Sequence, residues 1–96
     1  MPSVVWTEAE QVPEISRFLG IVIAMFYNDH APPHFHAFYG KFETTVRIAD
    51  GVVAGRFPRR ALSLVLEWYA LHKGELQSNW DRARSRQPLR PIDPLE

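Results

Sequence analysis

At Pro58 the spacing of apolar residues in this chain changes from two to about 3.6, so strands must come first and helix after. Upstream, Phe42, Thr44, Val46 and Ile48 alternate with Glu43, Thr45 and Arg47, as on a strand with one buried face. Downstream, Leu62, Val65, Leu66, Tyr69, His72, Leu76, Trp80 and Ala83 recur at helical spacing. Pro58 suits the first position of a helix, where its missing N–H leaves no bond unmade. The stripe keeps its phase through Gly74, which predicts one helix from Pro58 to Arg84; two helices broken at Lys73-Gly74 are the alternative.

Four strands are expected before that helix. Ser16 to Tyr27 is apolar on both alternating sets and reads as a central strand covered on both faces. Asn28 to Pro33 is a connection, and His34 to Tyr39 is the second strand. After a Gly40-Lys41 turn comes Phe42 to Ile48, then an Asp50-Gly51 hairpin of type I′, then Val52 to Phe57. In Gln87 to Glu96, Leu89, Ile92 and Leu95 stand three apart among Pro88, Pro91 and Pro94. That suits an extended tail docking every third side chain into a groove. The expected fold is α+β: an antiparallel four-stranded meander packed on one long C-terminal helix, with an extended Pro-rich tail. Residues 12–96 form a single domain. Residues 1–11 lack an apolar period and are expected to be a poorly ordered extension.

Composition narrows the function classes. A hydrophobic fraction of 46% in 96 residues argues for one folded globule. The absence of cysteine excludes disulfides and thiolate metal sites and fits a reducing cytoplasm. The longest apolar run, Phe18 to Tyr27, is too short to span a bilayer, so no membrane role is expected. A formal net charge of zero argues against binding nucleic acid by bulk electrostatics.

Chemistry concentrates in Asn28-Asp29-His30-Ala31-Pro32-Pro33-His34-Phe35-His36, which holds three of the four histidines. Two prolines stiffen the segment. On a strand, His34 and His36 share a face, with His30 and Asp29 at the turn leading in. Paired strand histidines suit zinc or a related divalent ion, with His30 or Asp29 as third ligand and water as fourth. Alternatively His34 and His36 serve as base and acid at a phosphodiester, a ribonuclease-like activity, with Arg47 and Arg56 stabilising charge. The plain alternative is that both histidines cap the turn and pack against Phe38 and Tyr27. If Phe35, Ala37, Tyr39, Phe42, Thr44, Val46 and Ile48 face the helix, then His34, His36, Glu43, Thr45 and Arg47 share a face that no second helix covers. Such a face suggests a site, a homodimer interface, or both.

A second feature is Arg56, Arg59 and Arg60 around the expected helix start, where the macrodipole disfavours cations and no local carboxylate compensates. This is a candidate anion-binding corner, to be filled by phosphate, by a partner's carboxylate, or by Glu43 and Asp50 of the sheet. His72, Trp68, Tyr69 and Trp80 read as core and helix-to-sheet packing.

The segments Tyr27-Asn28-Asp29-His30-x-Pro32-Pro33-His34-Phe35-His36, Pro58-Arg59-Arg60-Ala61-Leu62, Leu66-Glu67-Trp68 and Asn79-Trp80 through Pro94-Leu95, with Pro13-x-Ile15-Ser16-Arg17-Phe18, resemble a small bacterial family known as domain of unknown function 4160. The resemblance spans nearly all of residues 12–96. Members begin Met-Pro-x-Ile, which matches Val12-Pro13-Glu14-Ile15 and implies a start at codon 12. The resemblance carries no established activity. It implies one half of a two-gene, toxin–antitoxin-like pair, binding a protein encoded by a neighbouring gene, or RNA, through the His/Arg-bearing sheet face.

Overall fold

The computed structural model describes residues 13–96. The expectation of a poorly ordered extension over residues 1–11 lies outside the described residues. Five strands, β1 (Glu14–Phe18), β2 (Ile21–Ala24), β3 (His34–Tyr39), β4 (Phe42–Arg47) and β5 (Val53–Arg56), form one antiparallel sheet in chain order. Two helices follow, α1 (Arg59–Leu71) and α2 (Lys73–Arg84). The class is α+β with an antiparallel sheet, with one strand and one helix more than expected.

The extra strand arises inside the stretch read as one central strand. Leu19 and Gly20 take positive φ values of 51° and 83° and fold Ser16 to Tyr27 into the β1–β2 hairpin. The apolar character of both alternating sets therefore reflects two strands meeting one core, not one strand covered twice. The second helix arises at His72 (φ −129°, ψ 25°), one residue before the break considered at Lys73-Gly74. Its N–H donates to the Tyr69 carbonyl in a tight last turn, while its carbonyl accepts from Leu76 N–H and opens α2. Helical phase survives the break because a single residue leaves the α conformation.

The turn after β4 also differs from expectation. A type I′ turn needs positive φ at both central residues, but only Gly51 (φ 76°) has it and Asp50 does not. Instead Ile48 drops into the core, and a pairing of Arg47 N–H with the Val52 carbonyl closes a longer loop. Arg47 Nε and Nη2 donate to the two Asp50 oxygens at 2.8 Å each, and Val52 N–H donates to Asp50 Oδ1 at 3.2 Å.

One sheet face and the helices enclose the core: Ile21, Ile23, Phe35, Ala37 and Val46 against Ala61, Val65, Trp68, Tyr69 and Leu76. Burying such side chains contributes roughly 1.5–3 kcal/mol each and dominates the stability of a domain this small. The Pro-rich tail completes it. Ile92 is buried and Leu89 and Leu95 pack on the core. Ile92 N–H donates to the Ile15 carbonyl at 2.8 Å, tying the tail to edge strand β1. Trp68 Nε1–H donates to the Asp93 carbonyl at 2.8 Å. The buried amide of Asn79 donates to the Arg90 carbonyl and accepts from the Arg90 N–H, both at 2.9 Å.

Candidate metal centre

In β3, inward Phe35 and Ala37 alternate with His34, His36 and Phe38 on the opposite face. The core therefore fixes which way the two imidazoles project. Antiparallel pairing sets Arg47 opposite His34 and Thr45 opposite His36, with Glu43 opposite Phe38 and so diagonal to His36.

The face is less open than the one-helix arrangement implied. Trp80 of α2 stands 5.5 Å from His34 between ring centroids. Phe26 meets His36 edge-on at 4.6 Å, and Phe38 stacks on it at 6.2 Å. Each imidazole side chain is only 14% exposed.

Both rings converge on one atom. His34 Nε2 lies 3.0 Å and His36 Nε2 2.8 Å from Asp29 Oδ2. Their far nitrogens are also engaged: His34 Nδ1 is 2.8 Å from the Pro32 carbonyl and His36 Nδ1 is 2.9 Å from Glu43 Oε2. A carbonyl only accepts, so His34 Nδ1 carries a proton, whereas His36 has a carboxylate at each nitrogen. A neutral imidazole has a single N–H, so a neutral His34 turns its Nε2 lone pair on Asp29, and a neutral His36 turns a lone pair on Asp29 or on Glu43. That arrangement is repulsive unless both rings gain a second proton or a cation stands among the three atoms.

Burial of Asp29 pushes its carboxyl up, but the hydrogen bond from His36 and the charges of His34 and His36 outweigh it. The net value lies below the ordinary aspartate range, so the group is ionised and ligand-competent. Asp29, His34 and His36 each offer one ligand atom, all within 4.8 Å of one another. Neighbouring ligand atoms around an ion at about 2.1 Å stand about 3.0–3.4 Å apart, close to the 3.0 and 2.8 Å from the two histidines to Asp29. The contacts from the Pro32 carbonyl and Glu43 to Nδ1 are those that orient metal-binding histidines.

The other candidate residues are placed differently. His30, 90% exposed, has Nδ1 4.0 Å from Asp29 Oδ1 and stands outside the cluster. Arg47 has its guanidinium committed to Asp50. Arg56, opposite Glu43 in register, is exposed, as are Arg59 and Arg60. These three form no ion pair among the described residues, with Glu43 or Asp50 or otherwise. Alternation places Glu43 on the histidine face; its contact with His36, seven residues away, comes from the β3–β4 register, which the linear sequence does not reveal.

A five-stranded meander backed by two helices, with two strand histidines closing on one aspartate, defines a small α+β protein carrying a two-histidine, one-carboxylate cluster. The chain belongs to the family described as Domain of unknown function (DUF4160), whose model matches residues 20–81. The match takes in Asp29, His34, His36 and Glu43 and stops short of β1 and the docked tail. No match is found among curated proteins or among solved structures. Among the described residues, no helix is long and apolar enough to cross a membrane.

Proposed function

We propose that this protein binds a divalent transition-metal ion through Asp29, His34 and His36, with the Pro32 carbonyl and Glu43 orienting the two imidazoles. One observation carries the reading: His34 Nδ1 faces a carbonyl and His36 has a carboxylate at each nitrogen, so two neutral rings would set lone pairs against carboxylate oxygens, which extra protons or a cation relieve. A single divalent ion replaces two protons at that point. Two histidines and a carboxylate suit zinc or ferrous iron and leave coordination positions for water or substrate. An ion so held would act as a Lewis acid and lower the pKa of bound water.

The acid–base alternative draws less support. It needs a free nitrogen on each ring, whereas His36 has carboxylates at both, and it needs Arg47, which is paired with Asp50. The toxin–antitoxin-like reading, with its partner protein or RNA, draws on family resemblance alone, and the site geometry adds nothing to it.

Protein purified without a histidine tag should contain about one zinc or iron ion per chain, or take up one zinc ion in calorimetric titration. Asp29→Asn and His34→Ala should weaken zinc binding at least roughly 100-fold, whereas His30→Ala should change it less than about threefold. Metal-free protein that takes up neither ion at millimolar concentration would falsify the reading.

A further inference from the structure

The loop Asn28–Ala31 and the C-terminal end of α2 border an open cleft of about 410 Å³ beside the cluster, lined by Tyr27, Asn28, Asp29, His30, Arg84 and Arg86 among others. Asp29 belongs to both the cleft and the ligand set. From the metal reading above, on which this rests, we infer that the cleft is a phosphate pocket and that the ion's external ligand is the phosphate group of a small ester.

Two guanidiniums border the cleft, and among the described residues neither forms an ion pair with a carboxylate. Arg84 is held over the Trp80 ring, 5.7 Å from its centroid, and Trp80 is the residue packed beside His34. Arg86 lies past the end of α2 in the left-handed region (φ 60°), where non-glycine residues are uncommon. Its Nη2 reaches toward Asn28 Oδ1 at 3.4 Å, next to the metal-ligand aspartate. Cations in a last helical turn favour the macrodipole, which suits both Arg82, turned toward Gln87 and Pro88, and Arg84 at the cleft. Arg86 is placed by the helix cap: its N–H donates to the Ala83 carbonyl at 3.1 Å and the Gln87 N–H to the Arg82 carbonyl at 2.8 Å, a Schellman pattern that puts a left-handed residue at this position and leaves its side chain at the cleft.

The sign of the charge follows from the ion. Asp29 alone repels an anion. A divalent cation on Asp29 Oδ2 offsets that charge, and the cleft then combines a neutralised aspartate with two forked guanidiniums, a match for the oxygens and the one to two negative charges of a phosphate ester. A carboxylate carries one charge and leaves one guanidinium unmatched.

The test titrates zinc-loaded protein with inorganic phosphate, phenyl phosphate and acetate by calorimetry, beside metal-free protein and Arg84→Gln/Arg86→Gln. Phosphate and phenyl phosphate should bind the zinc form and not the metal-free form, with acetate at least tenfold weaker. The double variant alters exposed side chains, so it should melt like wild type and keep zinc affinity while binding phosphate at least tenfold more weakly. Zinc binding without phosphate binding overturns this inference alone. So does equal binding to metal-free protein, equal affinity for acetate, or an unaffected double variant. Failure to bind zinc overturns the metal reading, and this one with it.

Discussion

Replacing Glu43 tests whether the imidazoles are oriented for metal. Glu43 Oε2 accepts from His36 Nδ1–H at 2.9 Å, while its side chain is 52% exposed. A hydrogen bond to a charged group contributes about 1.5–3 kcal/mol. Water competes for a half-exposed carboxylate, which cuts that to about 1–1.5 kcal/mol. At 1.4 kcal/mol per factor of ten, Glu43→Ala should weaken zinc binding by about tenfold, the lower end of the range for orienting partners. Glu43→Gln keeps a neutral acceptor in reach and should lose only about three- to fivefold. Neither variant empties the core, so metal-free stability should fall by no more than about 1–1.5 kcal/mol, the contribution of that hydrogen bond. Competition against a chromophoric chelator at neutral pH measures the affinities, with His36→Ala as the severe reference. If Glu43→Ala binds like wild type while His36→Ala does not, the orienting role is refuted and Glu43 is only a neighbour on the sheet.

Asn79→Ala strips both hydrogen bonds from the Arg90 backbone and leaves a small void, and should cost about 2–4 kcal/mol in urea unfolding; a loss below about 1 kcal/mol would show that the tail is held without Asn79, by its apolar side chains and the Trp68 bond. Asp50 is held below the ordinary aspartate range by the Arg47 guanidinium and then the Val52 N–H. A carboxyl depressed in the fold stabilises above its unfolded value and ceases to as pH falls through its folded value. The Tm of wild type should therefore exceed that of Asp50→Asn at pH 7 and converge with it below about pH 4, and parallel curves would refute the pairing. Gly51→Ala places a Cβ 3.1 Å from the Tyr69 ring at φ 76°, and the Tyr69 hydroxyl bond to the Ile48 carbonyl keeps that ring from yielding. A loss of about 1–3 kcal/mol is expected from the urea midpoint, and an unchanged midpoint would show that the loop relaxes freely.

Period and punctuation were enough to reveal β3, β4, the helical C-terminal half and the docking of Leu89, Ile92 and Leu95. What they could not reveal shares one cause: conformations carried by residues that do not advertise them. Leu19 turns a hairpin at positive φ although leucine is no turn residue, so Ser16 to Tyr27 looked continuous. His72 stops α1 without shifting the apolar stripe, so the break before α2 left no mark in the spacing. At the site, the common face of His34 and His36 follows from alternation. The convergence on Asp29, the distance of His30 and the contact of Glu43 with His36 depend on loop path and strand register, which residue types alone do not set.

The bond from Ile92 to Ile15 joins nearly opposite ends of the described chain, and it has a consequence for biosynthesis. Strands β2 to β5 pair with near neighbours and can assemble as they leave the ribosome, at about 5–20 residues per second. Strand β1 cannot close its outer edge until Ile92 has emerged. During that interval the outer edge of a nascent β1, paired only with β2, is open to whatever else is nearby, so the docked tail around Ile92 protects that edge from aggregation.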